Sequence, residues 1–193
     1  MRKLIVQQLA TADGFVADPD GDLGFSDTVS DYSEVDQANL AVLEHVDQIL
    51  LGRRTYEMFV AFWPAAESEV VAHTVNTIPK VVFSKTISEA PWGRWDPAHV
   101  ERSSPAAYVA ALKKRPGADI MIWGSISLCR QLTEADLVDE YQLRVCPVTI
   151  GNGISLFGPQ YQRRDLFLTE VKRFAGGVAG LTYVPRDRVL DPG

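Results

Sequence analysis

The chain is poor in the residues that staple or metallate a small protein. It has two cysteines and three histidines among 193 residues. Cys129 and Cys146 are not arranged as CxxC, and no His/Cys group with zinc-ligand spacing accompanies them, so neither a structural disulfide nor a metal site is expected. The chain also lacks a run of roughly 18 to 20 apolar residues, the length that spans a bilayer. Its opening MRKLIVQQLATADG runs into an acidic turn instead of a small-residue cleavage site, so a cytoplasmic protein with no membrane partner is expected. Positive charge is scarce: 19 Lys and Arg against 25 Asp and Glu give a formal net charge of -6. Without a long basic run there is no face to neutralise a nucleic-acid backbone. Two nucleotide-binding signatures are missing as well, the GxxxxGK[ST] of a P-loop and a GxGxxG after the first strand.

What the chain does have is 46% hydrophobic residues, enough for one core. A single domain over residues 1–186, with 187–193 as a frayed tail, is the expectation. Lys3 to Leu9 reads as a strand that stops at Thr-Ala-Asp-Gly, and Asp18-Pro-Asp-Gly-Asp-Leu-Gly as a surface loop dense in turn formers. Ser33, with Asp36 three residues on, reads as a helix N-cap before Val35, Leu40, Leu43 and Val46 at helical spacing. Gln48 to Leu51 reads as a buried strand that breaks at Gly52 into a helix starting near Thr55. Pro79-Lys-Val-Val-Phe-Ser-Lys-Thr and Asp119-Ile-Met-Ile-Trp-Gly-Ser repeat the theme, the latter before a helix near Ser127 to Thr133. Short apolar strands alternating with helices predict a three-layer α/β sandwich around a mostly parallel sheet. The strands Glu140 to Val145, Leu166 to Phe174 and Ala179 to Val184 have no full helix between them and predict an antiparallel finish.

Ligands of open α/β sheets bind beyond the carboxyl ends of the strands, and three such ends carry anion-binding chemistry. Gly52-Arg53-Arg54-Thr55 opens a helix, placing backbone N–H groups, the positive end of a helix dipole and two guanidinium groups at one point. Ser84 and Lys85 follow the next strand with hydroxyl and ammonium groups suited to a ribose 2′-phosphate. Gly124-Ser125-Ile126 opens another helix.

These residues carry a resemblance. Gly52-Arg-Arg-Thr-Tyr-Glu resembles the G-R-x-T-x-E signature of the dihydrofolate reductase superfamily. Thr11-Ala-Asp-Gly, Phe83-Ser-Lys-Thr, Ile122-Trp-Gly-Ser and Thr149-Ile-Gly-Asn-Gly-Ile-Ser-Leu-Phe are similar, in the same order, to its riboflavin-biosynthesis reductase branch. The resemblance spans about Lys3 to Val184 and implies a dihydrofolate-reductase-like fold, NADPH as cofactor, a small-molecule substrate and a homodimer. It implies Gly52, Arg53, Arg54 and Thr55 along the phosphates and Ser84 with Lys85 near the 2′-phosphate. Gly124, Ser125, Ile126 and Leu128 would face the pyrophosphate and nicotinamide, and the Ala10 backbone the carboxamide. The implied activity is hydride transfer to a C=N or C=O bond of a heterocyclic or sugar-derived compound, as in 5-amino-6-(5-phosphoribosylamino)uracil reductase. A nucleotide-binding module that keeps the NADPH site without turnover is the alternative.

Two acids have two readings each. Asp13 faces substrate by the resemblance, or is simply the Asp of an Asp-Gly turn. Asp36 stands about where folate reductases carry the acid that binds and helps protonate the pterin, or is a charge supporting the capping box; with Asp13 it is a catalytic candidate. Phe59 and Trp63 are candidates for the substrate mouth, Trp63 alternatively packing a helix end. The sequence departs from the family in having Gly124-Ser125 where two glycines joined by a cis peptide are usual. Cys129 stands where folate reductases have a tyrosine, and with no clear partner for the folate-clamping arginine, folate is a poor substrate expectation. No HxE followed by PCxxC marks a zinc deaminase. His45, His73 and His99 read as surface residues, Trp92 and Trp95 as loop pins, and Glu134, Asp136, Asp139 and Glu140 as a solvated acidic face.

Overall fold

The computed structural model describes residues 2–158 and 161–189. The strands are β1 (Leu4–Thr11), β2 (Phe15–Ala17), β3 (Val46–Gly52), β4 (Lys80–Phe83), β5 (His99–Glu101), β6 (Asp119–Trp123), β7 (Glu140–Cys146), β8 (Ile154–Ser155), β9 (Leu166–Arg173) and β10 (Ala179–Pro185). The α-helices are α1 (Ser33–Leu43), α2 (Arg53–Phe62), α3 (Ala72–Thr77), α4 (Pro105–Lys113) and α5 (Ile126–Glu134). Eight strands form one sheet in the order β5-β4-β3-β6-β1-β7-β10-β9, and β2 pairs with β8 apart from it. The six strands from β5 to β7 run parallel to their neighbours. β10 is antiparallel to both β7 and β9.

Side-chain alternation assigns the two faces. Leu4, Val6, Leu50, Ile120 and Ile122 pack with Val109 and Leu112 of α4 and Leu128 and Leu132 of α5. Ile5, Ile49, Leu51, Val82 and Met121 pack with Leu43 of α1, Tyr56 of α2 and Val75 of α3. A parallel sheet covered on both faces explains why its strands read as continuous apolar runs. The order is that of a three-layer, mostly parallel sheet with an antiparallel end, and its interior places β6 between β3 and β1, so the ends of these strands meet at one edge.

Several local expectations need correction. Helix α1 starts at Ser33, with Tyr32 as its cap residue and no side-chain cap; the Ser33 N–H donates to Asp31 Oδ1 at 2.9 Å, so Ser33 and Asp36 form no capping box. Helix α2 begins at Arg53, directly after Gly52, not near Thr55. The short strands β2, β5 and β8 have two or three residues, too few for a period to be read. Trp92 is a core residue, fully buried, with Nε1 donating to Asn76 Oδ1 at 2.7 Å. The acidic cluster is a solvated face only in part: Glu134 and Asp136 are exposed, whereas Asp139 and Glu140 are partly buried. Asp139 receives Lys113, Arg188 and the Leu4 N–H, and Asp136 pairs with Arg164 and Arg188. Arg188 is therefore tied down rather than frayed, and of the expected tail only residues 190–193 lie outside the described residues.

Candidate functional site

The site grows from two strand ends that the sheet order makes adjacent. β3 ends at Gly52 and passes at once into α2; β6 ends at Trp123 and passes through Gly124-Ser125 into α5. The Gly52 N–H donates to Ser125 Oγ at 2.8 Å, and the Ser125 N–H donates to Thr55 Oγ1 at 3.0 Å, locking one helix start to the other. Neither helix has a side-chain cap, so the remaining N–H groups of both first turns keep their hydrogen-bonding capacity for a ligand.

The Gly124-Ser125 junction has an unusual backbone. No peptide bond among the described residues is cis. Gly124 has φ +74° and Ser125 φ +59°, ψ +63°, a left-handed conformation that costs a non-glycine residue about 1–2 kcal/mol. The surroundings hold it. Besides the two Ser125 bonds, the Gly124 carbonyl accepts from Gln8 Nε2 at 2.6 Å and from Cys129 Sγ at 3.3 Å, and its N–H donates to Gln7 O at 3.3 Å. Cys129 therefore does not line the cavity between the helix starts. It is buried behind the junction, with its thiol pushed by desolvation up to about 12.

Beyond these ends lies a cavity of about 440 Å³. Gly52, Arg53, Arg54 and Thr55 line one side and Gly124, Ser125, Ile126 and Ser127 another. The glycines keep it open: a Cβ at Gly52 would stand 3.7 Å from both Ser125 Oγ and Ser127 Oγ, and one at Gly124 would come within 3.0 Å of Thr55 Cγ2. The turn 18–23 closes a third side through Gly21 and Leu23, and Arg54 crosses to it, donating to Asp20 O and facing Asp22 Oδ1 at 3.9 Å. The far wall is aromatic. Trp123 stacks on Trp63 with ring centres 5.5 Å apart, and Phe59 meets Trp123 edge-on at 5.8 Å.

The structure brings together nine of the residues singled out from sequence: Gly52, Arg53, Arg54, Thr55, Phe59, Trp63, Gly124, Ser125 and Ile126 all line this cavity. Others lie elsewhere. Leu128 is buried in the core beneath α5, because helical periodicity turns Ser127 and Arg130 to the cavity instead. Ala10 is not at the cavity either. Lys3 O and Gln7 O accept bonds from the β6 side and Leu4 O from β7; alternation then directs the Ala10 peptide to β7 and that of Leu9 to the edge vacated where β6 ends. Asp13 is bound to Thr11 Oγ1 at 2.6 Å and to the N–H groups of Ile150 and Gly151 at 3.1 and 2.8 Å. These bonds, the Thr11 hydroxyl first, hold its carboxyl below the usual aspartate range. Asp36 sits half-buried on α1 outside the cavity, its pKa raised by desolvation and then by Glu69.

Ser84 and Lys85 do not line the cavity; they lie in the turn after β4, linked to the start of α2. Ser84 Oγ accepts the Thr86 and Ile87 N–H groups at 3.2 and 3.3 Å, Lys85 is exposed, and Arg53 Nη1 reaches Thr86 Oγ1 at 2.9 Å. Arg102, overlooked in the sequence, donates to the carbonyls of Lys85 and Ile87. This turn thus joins the start of α2 and gathers three cations, Arg53, Lys85 and Arg102. Also overlooked were Gln7, Gln8, Met58, Trp123 and Arg130. Trp123 had a signal, its place as the last residue of a strand.

The arrangement sets two uncapped helix starts, with a cluster of cations beside them, opposite an aromatic wall. Paired helix starts at the carboxyl edge of an α/β sheet are where sheets of this class take anionic ligands. The chain matches the RibD C-terminal domain model over residues 2–179 and belongs to that family, whose members use NADPH. It is 29% identical over 186 residues to the uncharacterized protein YyaP of Bacillus subtilis (strain 168), covering 94% of each chain. Among solved structures it resembles one described as a putative riboflavin biosynthesis protein from Shewanella sp. PV-4, with 24% identity, TM-score 0.77 and coverage of 95% of this chain and 99% of that one. It also resembles dihydrofolate reductase from Enterococcus faecalis in complex with NADP(H), with 12% identity, TM-score 0.60 and coverage of 96% and 97%. The fold is dihydrofolate-reductase-like. No helix among the described residues is long and apolar enough to cross a membrane.

Proposed function

We propose that this protein is an NADPH-dependent reductase of a small heterocyclic or sugar-derived substrate, with the ribosylaminopyrimidine of riboflavin synthesis as the first compound to test. The observation that carries this reading is the convergence of two uncapped helix starts, at Arg53 and Ile126, on a cavity whose other end is walled by Trp63 and Trp123. NADPH, when bound, supplies the hydride. The chain's own residues do the rest. The first turns of α2 and α5, with Arg53 and Arg54, hold the phosphates, and Ser84 and Lys85, backed by Arg102, receive the 2′-phosphate. The peptide of Leu9 offers hydrogen bonds beside the aromatic wall that packs the reacting ring, while the amides of Gln7 and Gln8 are committed to Gln142 and to the Gly124 carbonyl. No Asp, Glu or His lines the cavity among the described residues; the proton that balances the hydride then comes from solvent.

That same absence favours one second reading, a module that binds NADPH without turning it over. Titrating the protein with NADPH and NADH, followed by nicotinamide fluorescence and by quenching of Trp63 and Trp123, tests the shared premise. Saturable binding with NADPH preferred is expected, and Lys85→Ala is expected to weaken NADPH far more than NADH. Equal losses for both cofactors would refute the 2′-phosphate assignment. Oxidation of bound NADPH by a panel of substrates then separates reductase from module.

A homodimer forms part of this proposal. On the antiparallel end of the sheet, Leu143, Leu181 and Val171 stand side by side, as do Tyr141, Tyr183 and Leu168. Val171 and Leu168 remain 64% and 42% exposed, an apolar edge suited to a second copy.

A further inference from the structure

A second cavity, of about 210 Å³, lies between α1 and the opposite face of this antiparallel end, lined by Ala38, Ala41 and Val42 of α1 and by β7, β10 and β9. Its floor carries Arg144, only 6% exposed. A guanidinium has five N–H donors, and here few are used. Nη2 reaches Gln142 Oε1 at 3.4 Å, an oxygen that already accepts Gln7 Nε2 at 2.9 Å. The Nε–H is buried without a partner among the described residues.

Arg144 and Lys172 converge on one ring: Cζ of Arg144 is 5.3 Å from the centre of Phe174, and Nζ of Lys172 is 4.9 Å from it. Among the described residues no carboxylate pairs with either cation within 4 Å. Glu170 also lines the cavity, exposed on the edge strand and making no ion pair. Burial lowers the Arg144 pKa, with Glu170 and Glu140 opposing, yet an arginine keeps its proton in a protein. A buried cation left with an orphaned donor is costly unless a counter-charge meets it.

We propose that this cavity is a second ligand site that takes a small monocarboxylate with a short apolar body. Its carboxylate lies against the guanidinium of Arg144 where that side chain lines the cavity, the planar group matching two oxygens, with Lys172 as the second cation. Its apolar body lies against Ala38, Ala41 and Val42. The site is separate from the cofactor cavity and does not depend on NADPH binding.

The test follows the arginine Nε–H resonances of the 15N-labelled protein during titration with sodium isobutyrate, sodium acetate and inorganic phosphate, with sodium chloride holding ionic strength constant. The Arg144 signal, assigned by its loss in Arg144→Met, is expected to move saturably with isobutyrate and more weakly with acetate. Lys172→Ala is expected to weaken the isobutyrate response about fivefold. This variant lies on the exposed edge strand, and if Arg144→Met fails to fold, the Nε–H signal whose isobutyrate response Lys172→Ala weakens identifies Arg144; no signal with that behaviour would overturn the proposal. An Arg144 signal that stays put, that moves as much with chloride, or that answers phosphate more tightly than isobutyrate would overturn the proposal. So would a response confined to Arg53 and Arg54, which would place the anion at the helix starts.

Discussion

Asp13 and Asp36 carry carboxyl groups shifted in opposite directions, and both lie outside the cavity. Asp13 is depressed by the Thr11 hydroxyl and the Gly151 and Ile150 N–H groups. Its folded pKa lies below the unfolded value of about 3.9, so it adds stability above that pH, and this is lost as pH falls through the folded pKa. Asp13→Asn is therefore expected to lower Tm near neutrality, with the gap to wild type closing below about pH 4. Thermal melts from pH 7 to 3 check this, and an undiminished gap in acid would contradict it. Asp36 is raised by burial first and Glu69 second. Its charged form opposes folding, so the protein gains stability from this residue as pH falls. Asp36→Asn is expected to raise Tm slightly at pH 7 and to leave cofactor affinity unchanged. The sequence marked both acids by position in a motif, but hydrogen bonds from Ile150 and Gly151, some 137 residues away in the chain, decided what Asp13 does.

The starts of α2 and α5 work as a pair, and Gly52 tests the pair directly. Its φ of -81° is open to any residue, and an added Cβ meets the two serine hydroxyls at ordinary contact distance. Gly52→Ala is accordingly expected to fold with nearly unchanged Tm while weakening NADPH about tenfold or more, the equivalent of ~1.4 kcal/mol, because the methyl group occupies the gap a pyrophosphate would enter. Urea unfolding alongside NADPH titration separates the two effects; a loss of stability without a loss of affinity would count against the assignment. The glycines and the Arg53-Arg54 pair were legible because a strand end, a glycine and a helix start are contiguous in sequence. Gln8 and Cys129 were not. Their role, holding the Gly124 carbonyl, exists only because β1 pairs with β6 and α5 folds back over them. Leu128 and Ala10 were misplaced for a related reason, since a one-residue change of phase on a helix or strand moves a side chain or peptide to the other side.

At the scale of the molecule, the antiparallel end of the sheet presents its two faces to different uses. One carries the exposed apolar row proposed to seat a second copy, the other the Arg144 cavity under α1. Val171→Lys, which places a charge in the middle of the apolar row without touching the core, is expected to convert the proposed dimer to monomer in sedimentation velocity and to leave Tm at low concentration nearly unchanged. A wild-type chain that sediments as a monomer would refute the proposed interface.

The sequence by itself determined the α/β class, the mostly parallel sheet with its antiparallel finish, and the glycine and arginine junctions, because these rest on periodicity and on residues adjacent in the chain. Only the tertiary structure decided that Gly52 and Ser125 lock together, that Trp123 stacks on Trp63 as the cavity's far wall, and that Asp13 is bound into a loop rather than turned to the cavity. Each of these depends on which strands become neighbours, and strand order is set by burying both faces of the whole sheet at once rather than by any local pattern.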